Sequence, residues 1–162
     1  MTFVRPVLNL PLAILVTLVL VGSVFTASPA EAADSRHHTD IRDRMYYQVN
    51  RERGRHGVRK LKVNAKTQQY ARKHALRMAN QRRVFHASAK QLRGGTPANT
   101  CAWAENVVRT SASNAVRHSM DMFMASSGHR ANILNGRLTH MGFGVAKKGK
   151  YTYIVQRFIR RC

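Results

Sequence analysis

Acidic side chains are scarce in this chain. Seven Asp and Glu residues stand against 28 Lys and Arg over 162 residues, a formal net charge of +21. A surface so one-sided repels its own copies and attracts polyanions, whether wall polymers, acidic lipid head groups, polysaccharide or nucleic acid. The expectation is a monomer that meets anionic envelope polymers or lipids, with peripheral contact to a membrane. The cations are spread along the whole chain, and no nucleic-acid-binding signature accompanies them, so no specific nucleic-acid partner is expected. Cysteine is scarcer still, at two residues; once these are paired, no thiol remains to act as a nucleophile. The histidine–glutamate helix of a zinc protease and the glycine-x-serine-x-glycine elbow of a serine hydrolase are both absent. There is no internal repeat and no low-complexity tract. The glycines of MGFGVA, Met141–Ala146, resemble half of a dinucleotide fingerprint. They lead into a hairpin, however, not into a helix N-terminus that could seat a phosphate.

One long apolar run is present. It extends from Val7 to Thr26 behind Arg5, and is followed by Pro29 and the small-x-small triplet Ala30-Glu31-Ala32. This is the pattern of a secretory signal peptide over residues 1–32, with the mature protein secreted and associated with the cell wall or envelope. An uncleaved membrane anchor is the alternative reading. No cysteine lies near the cut, which argues against a lipid-anchored form. The chain left after cleavage, about 130 residues, suits one domain over residues 39–162 that buries roughly two-thirds of its unfolded surface. An even pair of cysteines in an exported chain is read as a disulfide, Cys101 to Cys162. Closing about 60 residues is worth roughly 4 kcal/mol in the chain-entropy model. Two free thiols are the alternative.

Residues 33–38 are polar and are expected to be a short flexible segment. From Thr39 the apolar positions Ile41, Met45 and Val49 recur every four residues, with Thr39 or Asp40 as cap, predicting a helix that ends near His56-Gly57. Leu61 and Val63 form a short extended link. Asn64 can cap a second helix whose Ala71, Ala75, Met78 and Ala79 share one face, ending before His86. Residues 87–100, with Gly94, Gly95 and Pro97, read as a loop. A third helix runs from about Ser113 to Ala125 through Val116, Met120, Phe123 and Met124. Met141–Ala146 and Tyr151–Ile159 are β-rich runs joined by a turn at Lys147–Lys150, an antiparallel hairpin. In the second run Tyr151, Tyr153 and Val155 alternate with Ile154 and Phe158, so both faces are apolar and both need cover. The expected class is α+β, an antiparallel sheet with helices above and below.

The candidate site is scattered. Glu105 lies in CAWAENVV, a stretch otherwise free of acids, and a carboxylate in so neutral a context has a partner if it is buried. His86 lies in RRVFHAS at the end of the second helix, and His129 lies in SSGHR just past the third. Two imidazoles and a carboxylate can bind zinc or another divalent cation with a position open for water, or form a hydrogen-bonded acid/base cluster. A purely structural cluster is the third reading. Asn106 reads as a turn or backbone-bonding residue. Asn132, Ile133 and Leu134 read as a knot that plugs the loop into the core, and Trp103 as packing beside the cleft.

Taken in order, NRERGRHGVRKLKVN, YARKHALRMANQRRVFHAS, AENVV, SSGHRANILN, MGFGVA and YIVQRF resemble the successive blocks of the CAP superfamily. That superfamily comprises cysteine-rich secretory proteins, venom antigens and pathogenesis-related proteins, together with short bacterial secreted members. The resemblance covers about residues 39–161 and implies an α-β-α sandwich. It also implies a cleft with two histidines, His86 and His129, and a first glutamate, Glu105. At the position of the family's second glutamate stands Ser126, which cannot act as a carboxylate base. The resemblance therefore implies a binding protein for lipid or another anionic envelope ligand, with a divalent-metal site in the cleft. The alternatives are a metal-assisted hydrolase with Glu105 as its catalytic group, and a cationic adhesive or growth-inhibiting factor with no functional cleft.

Overall fold

The computed structural model describes residues 29–162, with side chains from residue 35 onward. All but the last four residues of the signal segment expected at 1–32 lie outside the described residues. No helix among those described is long and apolar enough to cross a membrane. Helix α1, Pro29–Arg55, begins well before Thr39. Residues 33–38 are therefore helical and not a flexible lead. Thr39 does not cap the helix; its hydroxyl donates to the Ser35 carbonyl at 3.0 Å, a bond one turn back that belongs to a helix interior. The alanines at 30, 32 and 33 favour the same continuation.

Strand β1, Lys62–Val63, leads into α2, Ala65–Asn80, where Asn64 Oδ1 accepts from the Thr67 N–H at 2.9 Å. The chain leaves α2 through two C-terminal bonds, Arg82 N–H to the Ala79 carbonyl and Arg83 N–H to the Met78 carbonyl, both 3.1 Å. These form a Schellman motif with Arg82 at φ 50° in the position that usually takes glycine. Part of the expected loop at 87–100 is helix α3, Ala89–Gly94. Ser88 and Gln91 close a capping box there, at the spacing that such a box requires. Next come β2 (Thr100–Thr110), α4 (Ala115–Ala125), α5 (Ser127–Leu134), β3 (His140–Lys148) and β4 (Tyr151–Arg161). Gly149, at φ 58°, makes the turn between the last two strands. Cys101 and Cys162 are disulfide-bonded with Cα atoms 5.6 Å apart, joining the start of β2 to the C-terminal residue beside it.

The strand order is β1-β3-β4-β2. β3 and β2 each run antiparallel to β4, while β1 runs parallel to β3. The three long strands form the expected antiparallel sheet, and the two-residue β1 adds a parallel edge that was not expected from the sequence. The long excursion between β1 and β3 is what permits a parallel pairing. Both faces are covered, giving an α+β sandwich. Ile154 and Phe158 join Met45, Phe123, Ile133, Met141 and Phe143 in one core beneath α1, α4 and α5. Tyr153 and Val155 join Ala71, Ala75 and Met78 in a second core under α2.

The glycines of MGFGVA set the height of α2 above the sheet. A Cβ on Gly144 would fall inside the backbone of Ala71, and one on Gly142 inside that of Gln68. Gly144→Ala must therefore lift the helix, at a cost of about 3 kcal/mol or more by urea denaturation. Gly128→Ala meets nothing within 4 Å. It should be neutral or stabilising by up to about 1 kcal/mol. Equal stabilities for the two variants would contradict this packing.

Candidate functional site

Alternation along the strands sends Glu105, Gly142 and Arg157 to the α2 face, and the register places the three in one row across β2, β4 and β3. Glu105 is 7 % exposed and Arg157 is 2 % exposed. Arg157 Nε donates to Glu105 Oε2 at 2.9 Å. The other oxygen, Oε1, accepts from the Ala87 N–H at 2.9 Å and from His86 Nδ1 at 3.1 Å. Burial disfavours the Arg157 charge, and Glu105 offsets that penalty. Glu105 thus ties the loop after α2 to β2 and β4, and both of its oxygens are engaged in doing so.

His74 completes this layer, and nothing in the candidate set included it. Its side chain is fully buried, with Nε2 2.8 Å from the Phe85 carbonyl and Nδ1 2.9 Å from an Arg77 NH2 group. A carbonyl only accepts and a guanidinium only donates, so the ring carries its proton on Nε2 and is neutral. Burial holds its pKa below the usual imidazole value against the opposing pull of Glu105, whose Oε1 is 3.7 Å from Nε2. The signal was legible: position 74 falls on the same helical stripe as Ala71, Ala75 and Met78.

On the opposite face, Asn106 and Gln156 are register partners in the next row. Asn106 Nδ2 donates to Gln156 Oε1 at 3.0 Å and to the His129 carbonyl at 3.1 Å, while its Oδ1 accepts from Asn132 Nδ2 at 2.8 Å. The AEN and GHRAN blocks are thus joined through their asparagines, Asn106 to Asn132, with Ile133 fully buried behind them. Asn106 is a backbone-bonding residue, as expected, but within a strand and not at a turn.

The His129 side chain stands apart from Glu105. Its ring packs edge-on against Phe123 with centroids 5.3 Å apart. Burial and the nearby His86 both lower its pKa. His86 is exposed; its Nδ1–H is given to Glu105, which leaves Nε2 uncommitted. The trio expected to ligate zinc does not fit as a ligand set. Glu105, with a side chain 2 % exposed, stands behind His86 as a positioning carboxylate. Among the described residues, no three His, Cys, Asp or Glu side chains are grouped to hold a metal ion.

His129 and Ser126 instead line a cleft of about 410 Å³ at the β2 edge, together with Val84, Val107, Val108, Arg109, Met122 and Phe123. Ser126 ends α4 and opens α5, and its carbonyl takes the first-turn bond from Arg130 N–H at 2.8 Å. Trp103 is not part of this lining; it lies under the Arg93 guanidinium, 5.9 Å from the ring centroid.

Removing Glu105 strands a buried guanidinium. Glu105→Ala should cost about 3–5 kcal/mol, whereas Glu105→Leu with Arg157→Met should recover most of that loss in urea melts. A loss under about 1 kcal/mol for the single variant would contradict the pairing. The histidines set a pH dependence. With folded values for His74, His129 and His140 held below the unfolded value of about 6.5, the unfolded chain binds more protons. Stability is full above about pH 6.5 and falls as pH drops below it. His74→Gln, which can keep both bonds, should flatten that slope between about pH 6.5 and 5. An unchanged slope would contradict the neutral His74.

The fold is shared with proteins of known structure. Among solved structures, an extracellular protein containing an SCP domain from Bacillus anthracis matches over 84 % of this chain, with a TM-score of 0.71 and 22 % identity. This chain covers 45 % of that protein, less than half its length. A cysteine-rich secretory protein from Staphylococcus aureus matches at TM-score 0.62 and 25 % identity, over 76 % of this chain and 39 % of that one. An outer surface protein from Borrelia burgdorferi matches at TM-score 0.65 and 13 % identity, over 73 % of this chain and 90 % of that one. None of the curated proteins matches the chain in sequence. The family model of the cysteine-rich secretory protein (CAP) family matches residues 46–158. With that match over most of its length and the sandwich fold beneath it, the chain belongs to the CAP family.

Proposed function

We propose that this CAP domain is an extracellular, non-enzymatic binding protein that takes an anionic amphiphile into the cleft at the β2 edge. The observation that carries the reading is the character of that cleft. Its lining is mostly apolar, from Val84, Val107, Val108, Met122 and Phe123, with Arg109, Ser126 and His129 beside them and no carboxylate. An apolar lining with one guanidinium-bearing residue, Arg109, which rests on the Tyr151 ring, suits an acyl or similar apolar chain ending in an acidic group. Glu105 is spent on Arg157 and the Ala87 N–H, and Ser126 stands where a second carboxylate would be needed. The site therefore offers no accessible carboxylate base for a water, which leaves only the imidazoles of His86 and His129. The extracellular setting is supported by the structural neighbours from Bacillus anthracis, named as extracellular, and Borrelia burgdorferi, named as an outer surface protein.

A fluorescent medium-chain fatty acid should bind saturably and be displaced by laurate. Val84 and Met122 are 39 % and 43 % exposed, so acids placed there leave the core intact. Val84→Asp with Met122→Asp should weaken binding about tenfold or more, by the desolvation and repulsion of two carboxylates. Unchanged affinity would contradict the cleft. If binding instead collapses between low and physiological salt, equally in wild type and variant, non-specific cationic adhesion is the better account.

A further inference from the structure

A second concavity, at the β1–β3 edge, is independent of the cleft. It has a volume of about 220 Å³ and is lined by Arg59, Lys60, Lys62, Thr139 and His140. No acidic side chain lines it, and none of the ion pairs among the described residues includes Arg59, Lys60 or Lys62. Arg161 adds its field from β4; with Lys62, and after burial, it opposes protonation of His140. Gathering like charges in one concavity costs stability, more so where side chains screen them from solvent. A bound anion would offset that cost.

The backbone that carries these cations is held from beneath. Leu61 N–H donates to Asn50 Oδ1 at 2.8 Å, and its carbonyl accepts from Asn50 Nδ2 at 3.1 Å and from the Tyr46 hydroxyl at 2.8 Å. Arg53 is fully buried; its Nε donates to the Arg59 carbonyl at 2.8 Å, and its NH1 donates to the carbonyls of Ile133 at 2.6 Å and Asn135 at 3.0 Å. Lys62 N–H donates to the Thr139 carbonyl at 3.1 Å, which locks the segment to β3. On the far wall the Thr139 hydroxyl donates to the Ile159 carbonyl at 3.3 Å and accepts from the Arg161 N–H at 3.0 Å. Its oxygen therefore accepts from His140 Nδ1 at 2.9 Å, and His140 Nε2 remains the ring's uncommitted nitrogen. The cations thus project from a fixed frame and not from a mobile tail, so little ordering remains to be done when an anion binds.

We propose that this notch, where Arg59, Lys60 and Lys62 supply the charge and Thr139 and His140 form the wall, is a binding site for a phosphoryl group. A guanidinium that can engage two oxygens and two ammonium point charges converging on one small concavity match a tetrahedral dianion better than a planar carboxylate. The site extends the reading of this chain as a binder of anionic ligands to a second place on its surface, away from the apolar cleft.

Two double variants test it at equal net charge. Lys60→Ala with Lys62→Ala removes two of the notch cations, while Lys147→Ala with Lys150→Ala removes two cations around the β3–β4 turn. Inorganic phosphate titrated into the wild type should shift the amide resonances of residues 59–62 and 139–140 saturably. The notch variant should bind about fivefold or more weakly, and the turn variant within about twofold of wild type. Equal losses in both variants, or no saturable shift at those amides, would overturn the site. Vesicles of phosphatidylcholine with one-fifth phosphatidic acid distinguish the source. Capture that weakens only in the notch variant assigns a lipid phosphomonoester, and capture indifferent to the notch assigns a soluble phosphate. Both variants leave the cleft intact, so fatty-acid binding should be unchanged in each, and the two readings stand or fall separately.

Discussion

Glu105 and Arg157 face each other across β2 and β4 in a layer closed by α2, and three parts of the chain meet on that ion pair. The guanidinium occupies one carboxylate oxygen; the loop after α2 and the His86 ring share the other. Burying a carboxylate or a guanidinium alone costs several kcal/mol, so neither is stable there without its partner. The pair also fixes where the β2 edge lies relative to the loop that carries Val84 and His86. The shape of the cleft depends on an interaction that does not line it.

The same residue that anchors the fold is thereby withdrawn from chemistry. A general base or metal ligand needs a lone pair that a substrate or ion can reach, and the Glu105 side chain is 2 % exposed. Its effect on the surface is exerted through His86, whose Nδ1–H it holds. The cleft is lined by apolar side chains with His129 and Arg109, the Arg109 guanidinium resting on the Tyr151 ring.

Much of this was legible in the residues, and the failures have physical causes. The two-faced apolarity of Tyr151–Ile159 called for helices on both sides, and α2 opposite α1, α4 and α5 supplies them. The capping role of Asn64 and the Cys101–Cys162 link also follow from sequence. Strand β2 was missed because Glu105, Asn106 and Arg109 interrupt its apolar pattern, and each is satisfied only by a tertiary partner. Helix α5 was hidden by the Ser126-Ser127-Gly128 opening, which reads as a hinge. The Glu105–Arg157 pair required two observations at once, an acid in a neutral stretch and a cation inside a strand buried on both faces. His74 and Arg53 lay in plain view on helix faces. Position alone does not say that the first is a neutral ring or that the second holds three backbone carbonyls.

The most direct measurement is a crystal structure grown with a medium-chain fatty acid and zinc both present. The acyl chain is expected between Val107, Val108 and Phe123 with its carboxylate toward Arg109, and Glu105 still bonded to Arg157 and Ala87. A Glu105 carboxylate turned out of that layer to contact a zinc ion or the ligand would contradict it.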